Sequence, residues 1–241
     1  MSNIELLQGD CLELMKDIPD GSIDMILCDL PYGTTRNKWD SVIPLEPLWE
    51  QYRRVIKENG AIVLFSQQPF TSTLVSSNPQ WFRYEWIWQK DQGTGFLNAK
   101  RMPLKVHENV LVFYGKSPLY NPQMRKGFKP YKVVRGSTGS NYGKVIPAHV
   151  TESNGERYPV DVLEFTKEHG LHPTQKPVAL LEYFIKTYTN AGDTVLDNCM
   201  GSGTTGIACL NTGRNFIGME LEQEYFDIAK QRIADAQEET A

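Results

Sequence analysis

The sequence is poor in several features that would place it in a class at once. It has only four cysteines, Cys11, Cys28, Cys199 and Cys209, and none is paired as C-x-x-C. That argues against a disulfide framework and against a zinc ribbon. Each lies in or beside an apolar stretch, so reduced and mostly buried thiols are expected. No apolar run approaches the length of about 18 residues that a membrane-spanning helix needs. The opening residues, Met-Ser-Asn-Ile-Glu-Leu-Leu-Gln, lack the basic-then-apolar order of a secretion signal. The expectation is a cytoplasmic protein with no membrane contact. No internal repeat is visible.

What is present points to a globular enzyme-sized chain. The 241 residues suit one α/β domain with an insertion, or two small domains, and hydrophobic content of 40% against 22% charged is that of a protein with a real core. The net charge of −4 conceals an asymmetry. Residues 89–150 carry eleven Lys/Arg against Asp91 and Glu108, a net of +9, which leaves −13 for the rest. Aromatic residues interleave with these cations: Phe113, Tyr114, Tyr120, Phe128, Tyr131 and Tyr142. Cations neutralise phosphates and rings stack on bases, so a nucleic acid is the expected partner of this segment. Lys100, Arg101, Arg125, Lys126, Lys129, Lys132 and Arg135 are its candidate contacts.

Periodicity predicts alternating strands and helices at both ends of the chain. Strands are expected at Ile4–Leu7, Ile23–Cys28, Ala61–Phe65, Asp193–Leu196 and Asn215–Met219. Helices are expected over Leu12–Ile18, over 45–58 with a stop at Asn59-Gly60, from Phe70, over Pro177–Thr189, Thr204–Asn211 and Glu222–Ala236. Phe82–Trp88 and Asn109–Tyr114 read as a pair of strands at the far edge of the sheet. Residues 115–171 are rich in Gly, Pro, Ser, Asn and Lys with no clear period, which reads as a loop-rich insertion. The fold class is therefore α/β, a doubly wound and mostly parallel sheet.

Two short stretches carry chemistry. Residues 29–33 read Asp-Leu-Pro-Tyr-Gly at the end of a buried strand, either a plain turn or a carboxylate and a ring aimed at a ligand. Residues 194–206 run from a strand into a loop where Gly201, Gly203 and Gly206 spell G-x-G-x-x-G, and the next strand ends on Glu220, placed to bind a ribose. The glycine pattern alone fits a nicotinamide enzyme, a flavin enzyme or a methyltransferase. Asp197 stands four residues before the first glycine, whereas dinucleotide folds bring glycine directly to the strand end. That favours S-adenosyl-L-methionine.

Taken together the stretches resemble the β-class amino-methyltransferases acting on DNA, of bacterial or phage type, many of which belong to restriction-modification systems. Asp29-Leu30-Pro31-Tyr32 looks like their catalytic D-P-P-Y. Asp197-Asn198-Cys199-Met200-Gly201-Ser202-Gly203-Thr204-Thr205 is similar to their cofactor loop, and His172-Pro173-Thr174-Gln175-Lys176-Pro177 resembles a third motif beside the methionine end. The order of catalytic motif, basic insertion and cofactor loop is that of the circularly permuted β class. The departure is Leu30, where the family usually has proline; only the backbone carbonyl is needed there, so activity is expected to survive.

The resemblance implies a Rossmann-like catalytic domain at 1–115 and 172–241, with 116–171 as an inserted target-recognition region, and double-stranded DNA as the partner. It implies a catalytic set of Asp29, Leu30, Pro31 and Tyr32. It implies a cofactor set of Asp10, Cys11, Lys176, Asp197, Gly201, Ser202, Gly203, Thr204, Thr205 and Glu220, with Asp10 on the adenine, Glu220 on the ribose and Lys176 on the methionine carboxylate. His172 is read as a structural hydrogen-bonder, and Trp81, Trp86 and Trp88 as core or sheet-face residues. No metal is required. Aspartate at position 29 leans toward adenine N6 as the acceptor, with cytosine N4 as the near alternative. A homodimer is compatible with the class.

Overall fold

The computed structural model describes residues 2–33, 40–137, 147–167 and 175–240. They form two units: residues 1–121 with 161–241, and residues 122–160.

The larger unit is built on an eight-stranded sheet in the order β1-β10-β9-β2-β3-β5-β4-β8. Its strands are β1 (Ile4–Gln8), β2 (Ile23–Cys28), β3 (Ile56–Ser66), β4 (Phe82–Thr94), β5 (Lys105–Phe113), β8 (Val162–Glu164), β9 (Thr194–Asp197) and β10 (Asn215–Glu220). Only β5 runs against the others. Successive residues of β2 explain the layering. Met25 and Leu27 enter one core, with α4 (Val178–Tyr188), α5 (Thr204–Thr212) and α6 (Gln223–Thr240). Ile26 and Cys28 enter the other, with α1 (Cys11–Leu14), α2 (Leu45–Val55) and α3 (Phe70–Ser77). A strand buried on both faces must read as a continuous apolar run, and Met25–Cys28 does; Asp24, at the strand's start, is only partly buried and pairs with Lys57.

The decisive adjacency is β9 beside β2, with Met25 opposite Val195 and Ile26 opposite Leu196. From β2 the chain steps to β3 on one side; from β9 it steps to β10 on the other. This is a topological switch point, where a cleft opens outside the carboxyl ends of the two central strands.

Three expectations are corrected. The helix over 45–58 ends at Val55, and the chain turns directly into β3 at Ile56, so Asn59-Gly60 lies in a strand. The β4–β5 pair is not the edge of the sheet. The edge is β8, three residues of the stretch read as loop, which pairs parallel to β4 with Trp88 opposite Leu163. Pro177 caps α4 from outside its first turn.

The smaller unit, Pro122–Val160, falls within the expected insertion. It holds a two-stranded antiparallel ribbon of β6 (Tyr131–Arg135) and β7 (His149–Ser153). Arg157 lies against the rings of Phe128 and Tyr131, with its guanidinium 5.3 and 4.5 Å from their centroids. Its sequence has seven Lys/Arg against Glu152 and Glu156.

Candidate active site

A cavity of about 730 Å³ lies at the switch point within the larger unit. Its walls come from the ends of β1, β2, β3, β9 and β10 and from β4 and β5. Asp29, Leu30, Pro31 and Tyr32 line it, as do Asp10, Cys11, Lys176, Asp197, Gly201, Ser202, Thr204, Thr205 and Glu220. Two stretches far apart in sequence thus open into one space. His172, Pro173 and Thr174 lie outside the described residues.

The glycine loop is held from behind. Asp197 is buried, and its carboxylate accepts a hydrogen bond from the Thr205 hydroxyl at 2.6 Å and from the Cys199 amide at 3.1 Å. Burial pushes its carboxyl up to about 6 despite these bonds. Arg232 of α6 donates to the Ser202 carbonyl and, at 2.9 Å, to its hydroxyl. Glu220 accepts the Gly201 amide at 2.9 Å and the Glu222 amide at 2.9 Å, and burial raises its carboxyl too. Gly201 takes a left-handed φ of +51°, and a Cβ there would meet nothing within 4 Å. Gly203 is different. Its φ is +79°, and a Cβ would stand 2.9 Å from the Ala229 Cβ. It is absent from the cavity lining and packs closely under α6.

Asp10 caps α1 by accepting the Leu12 amide at 2.8 Å, while also lining the cavity. Cys11 and Cys199 each lie 3.5 Å from the Asn198 amide nitrogen, and Tyr52 donates to the other end of that side chain. The four cysteines are free, and all but Cys199 are buried. Burial pushes the Cys28 thiol up to about 12, so it is a neutral wall group.

On the other side of the cavity stands a buried charge cluster. Lys176 donates a hydrogen bond to Asp29 Oδ2, and its Nζ lies 3.2 Å from Glu108 Oε2. Glu108 is also ion-paired to Lys90. Burial alone would lower the Lys176 ammonium, but the Asp29 and Glu108 carboxylates reverse that and raise it. Burial likewise pushes Glu108 up, and Lys176 and Lys90 bring it below the ordinary glutamate range. Tyr32 donates to Asp29 Oδ1 at 2.6 Å, and its ring stacks on Phe70 with centroids 5.3 Å apart. It is half-buried, and burial followed by the Asp29 charge pushes its phenol well up. The Leu30 side chain, at the family's proline position, is buried in the core shared with Cys28. Trp86 and Trp88 are buried core residues, as expected, and Trp88 also touches the cavity.

Glu108, Lys90, Phe65 and Gln67 line the site without having been foreseen. The only signal was Glu108 itself, a lone acid amid cations. Of the eleven basic residues counted above, Lys90 is committed to this cluster and Lys116 to Glu58, while Lys132 pairs with Glu152 inside the smaller unit. Lys100 and Arg101 are exposed on the β4–β5 turn of the larger unit. Arg125, Lys126, Lys129, Lys132 and Arg135 are exposed in the smaller one.

The DNA methylase family profile matches residues 23–231. Type II methyltransferase M.HpaI of Haemophilus parainfluenzae is 31% identical over 95% of this chain and 73% of that protein. DNA adenine methyltransferase YhdJ of Escherichia coli (strain K12) is 29% identical over 95% of this chain and 82% of its own. The M1.HpyAVI–SAM complex superposes with a TM-score of 0.67 at 29% identity, covering 95% of this chain and 99% of that one.

Proposed function

The chain belongs to the DNA methylase family, and on that premise we propose that it transfers a methyl group from S-adenosyl-L-methionine to the N6 amino group of an adenine turned out of duplex DNA. One observation carries this reading: the Asp29–Tyr32 stretch and the Gly201–Glu220 pair line a single cavity. M1.HpyAVI is named as a complex with SAM and YhdJ as an adenine enzyme, and both cover this chain almost end to end.

The residues present suit S-adenosyl-L-methionine. Gly201 leaves open space where any other residue would project a Cβ. Glu220 is a buried acceptor for ribose hydroxyls, held in place by two backbone amides. Cys11, Leu12, Leu221 and Tyr225 offer a largely apolar wall for a purine, with Asp10 at its edge. Ser202, Thr204 and Thr205 line the same side, and Asp197 acts by fixing their loop. A bound cofactor supplies an electrophilic methyl group on a sulfonium.

The chain's own groups prepare the acceptor nitrogen, whose lone pair is otherwise delocalised into the ring. Asp29 accepts one N–H and the Leu30 carbonyl accepts the other, which favours a pyramidal nitrogen with its lone pair directed across the cavity. A carboxylate has about four acceptor sites, so the bonds from Lys176 and Tyr32 leave room for the base. Positive charge growing on the nitrogen is met by the Asp29 carboxylate, already held in place by Lys176 and Tyr32. Pro31 stiffens the loop. One face of Tyr32 rests on Phe70, leaving the other to stack on the base and offset part of the unstacking cost.

The larger unit is the catalytic domain on this reading, and the basic insertion reads the target. No helix among the described residues is long and apolar enough to cross a membrane. On the methylase reading the protein meets its DNA in the cytoplasm of a bacterial or phage-infected cell. The test is incubation with methyl-labelled cofactor and unmethylated DNA followed by nucleoside analysis. Label in N6-methyladenine supports the assignment; label in N4-methylcytosine, or none, refutes it.

A further inference from the structure

The turn between β4 and β5 carries an apolar group that the fold does not use. Leu97 is fully exposed at 102%, Phe96 is 69% exposed and Met102 is 52% exposed. Single exposed apolar residues are ordinary, but three within seven positions on one turn are not. The turn is ordered by its own backbone. Gly95, at φ +91°, starts a short 3-10 helix over Phe96–Asn98, and the amides of Asn98, Ala99, Arg101 and Met102 all bond back within it. The apolar groups are therefore displayed on a built knuckle.

Its location and charge identify what it meets. β4 runs in the same direction as β2 and β9, so the turn leaves the sheet at the carboxyl edge, where the cavity opens. Thr94, just before the turn, lines the cavity with Asp29 and Tyr32. Lys105, just after it, donates to Gln67 at 3.3 Å, and Gln67 lines the cavity as well. Residues 92–107 contain Lys100, Arg101 and Lys105 and no acid. An apolar knuckle ringed by cations at the mouth of a nucleobase pocket matches a duplex opened at one position: cations hold phosphates while apolar groups fill a broken stack.

We propose that Phe96 and Leu97 are a wedge that enters the DNA stack beside the target and occupies the place of the base turned into the cavity. The proposal rests on the methyltransferase reading above and adds the surface that opens the duplex. Turning a base out costs a few kcal/mol of pairing and stacking, and a side chain filling the gap offsets part of that.

The test uses duplex oligonucleotides bearing the protein's own site, first read from the methylated positions in DNA of cells expressing it. In one duplex the target adenine faces thymine; in the other it faces an abasic position, which already lacks the pair. Phe96→Ala combined with Leu97→Ala should lower methyl transfer on the paired duplex about tenfold or more, and on the abasic duplex less than about threefold. Phe96→Trp, which keeps a large apolar group, should stay near the wild type on both. Equal losses of the double variant on the two duplexes, or an undiminished rate on the paired one, overturn the wedge. A wild-type protein that methylates neither duplex refutes the methyltransferase reading instead.

Discussion

Lys176 donates a hydrogen bond to Asp29 across 147 residues of sequence, joining the third motif to the first. The motif resemblance assigns Lys176 to the cofactor's carboxylate, whereas the structure gives it two protein carboxylates, Asp29 and Glu108. Its part is then to hold Asp29 in place. Replacing it with methionine keeps the length of the side chain and removes the charge. Lys176→Met should lower kcat on the order of a hundredfold, as expected for lost positioning at a charge-stabilising group, and move KM for S-adenosyl-L-methionine little. Steady-state kinetics decide it. A large rise in KM at unchanged kcat would return Lys176 to the cofactor.

The two loop glycines should fail in different ways. Gly203→Ala puts a methyl 2.9 Å from Ala229 on a left-handed backbone. The cost should be about 2 kcal/mol or more, seen as a fall in Tm of about 4 °C or more. Gly201→Ala meets open space, so its stability cost should be smaller, and the loss should fall on cofactor affinity. Thermal melting and cofactor titration of both variants check this; the reverse assignment would show that the loop faces the other way.

Asp197 makes stability depend on pH. Its folded value, about 6, lies above the ordinary 3.8. A raised carboxyl contributes stability that is full below the unfolded value and is lost as pH rises through the folded one. The span from 3.8 to about 6 corresponds to about 3 kcal/mol at most. Asp197→Asn cannot titrate, so the wild type's advantage in Tm over this variant should be larger at pH 4 than at pH 7. An advantage that grows toward pH 7 would mean Asp197 is held ionised.

Affinity for duplex DNA should fall steeply with salt, because cations that bind phosphate release counterions. Lys100→Ala with Arg101→Ala should reduce the slope of log Kd against log salt by about 2. Fluorescence anisotropy across a salt series measures it, and an unchanged slope would take these two residues off the DNA.

Much of the framework was legible because burial writes itself into composition. Met25–Cys28, Ala61–Phe65 and Val195–Leu196 read as strand since both their faces are covered, and Asp29 and Glu220 were legible because strand ends at a switch point open into a cleft. The illegible parts have physical reasons. Ile56 continues the apolar period of the helix that ends at Val55, yet it enters the sheet opposite Ile23. Val162–Glu164 is too short for any period and exists through its pairing with β4. Charge counting includes Lys90 in the basic segment, yet its partner Glu108 stands 18 positions away, visible only once β4 and β5 are paired. The apolar turn at Phe96 and Leu97 gives no sequence signal, since exposure is not written in residue type.

The most direct test is the rate of methyl transfer by Asp29→Ala, measured beside its affinities for DNA and for S-adenosyl-L-methionine. Transfer should drop by about a thousandfold or more, with the DNA Kd within about threefold of the wild type. Turnover that survives the substitution would contradict the placing of the acceptor nitrogen at this carboxylate.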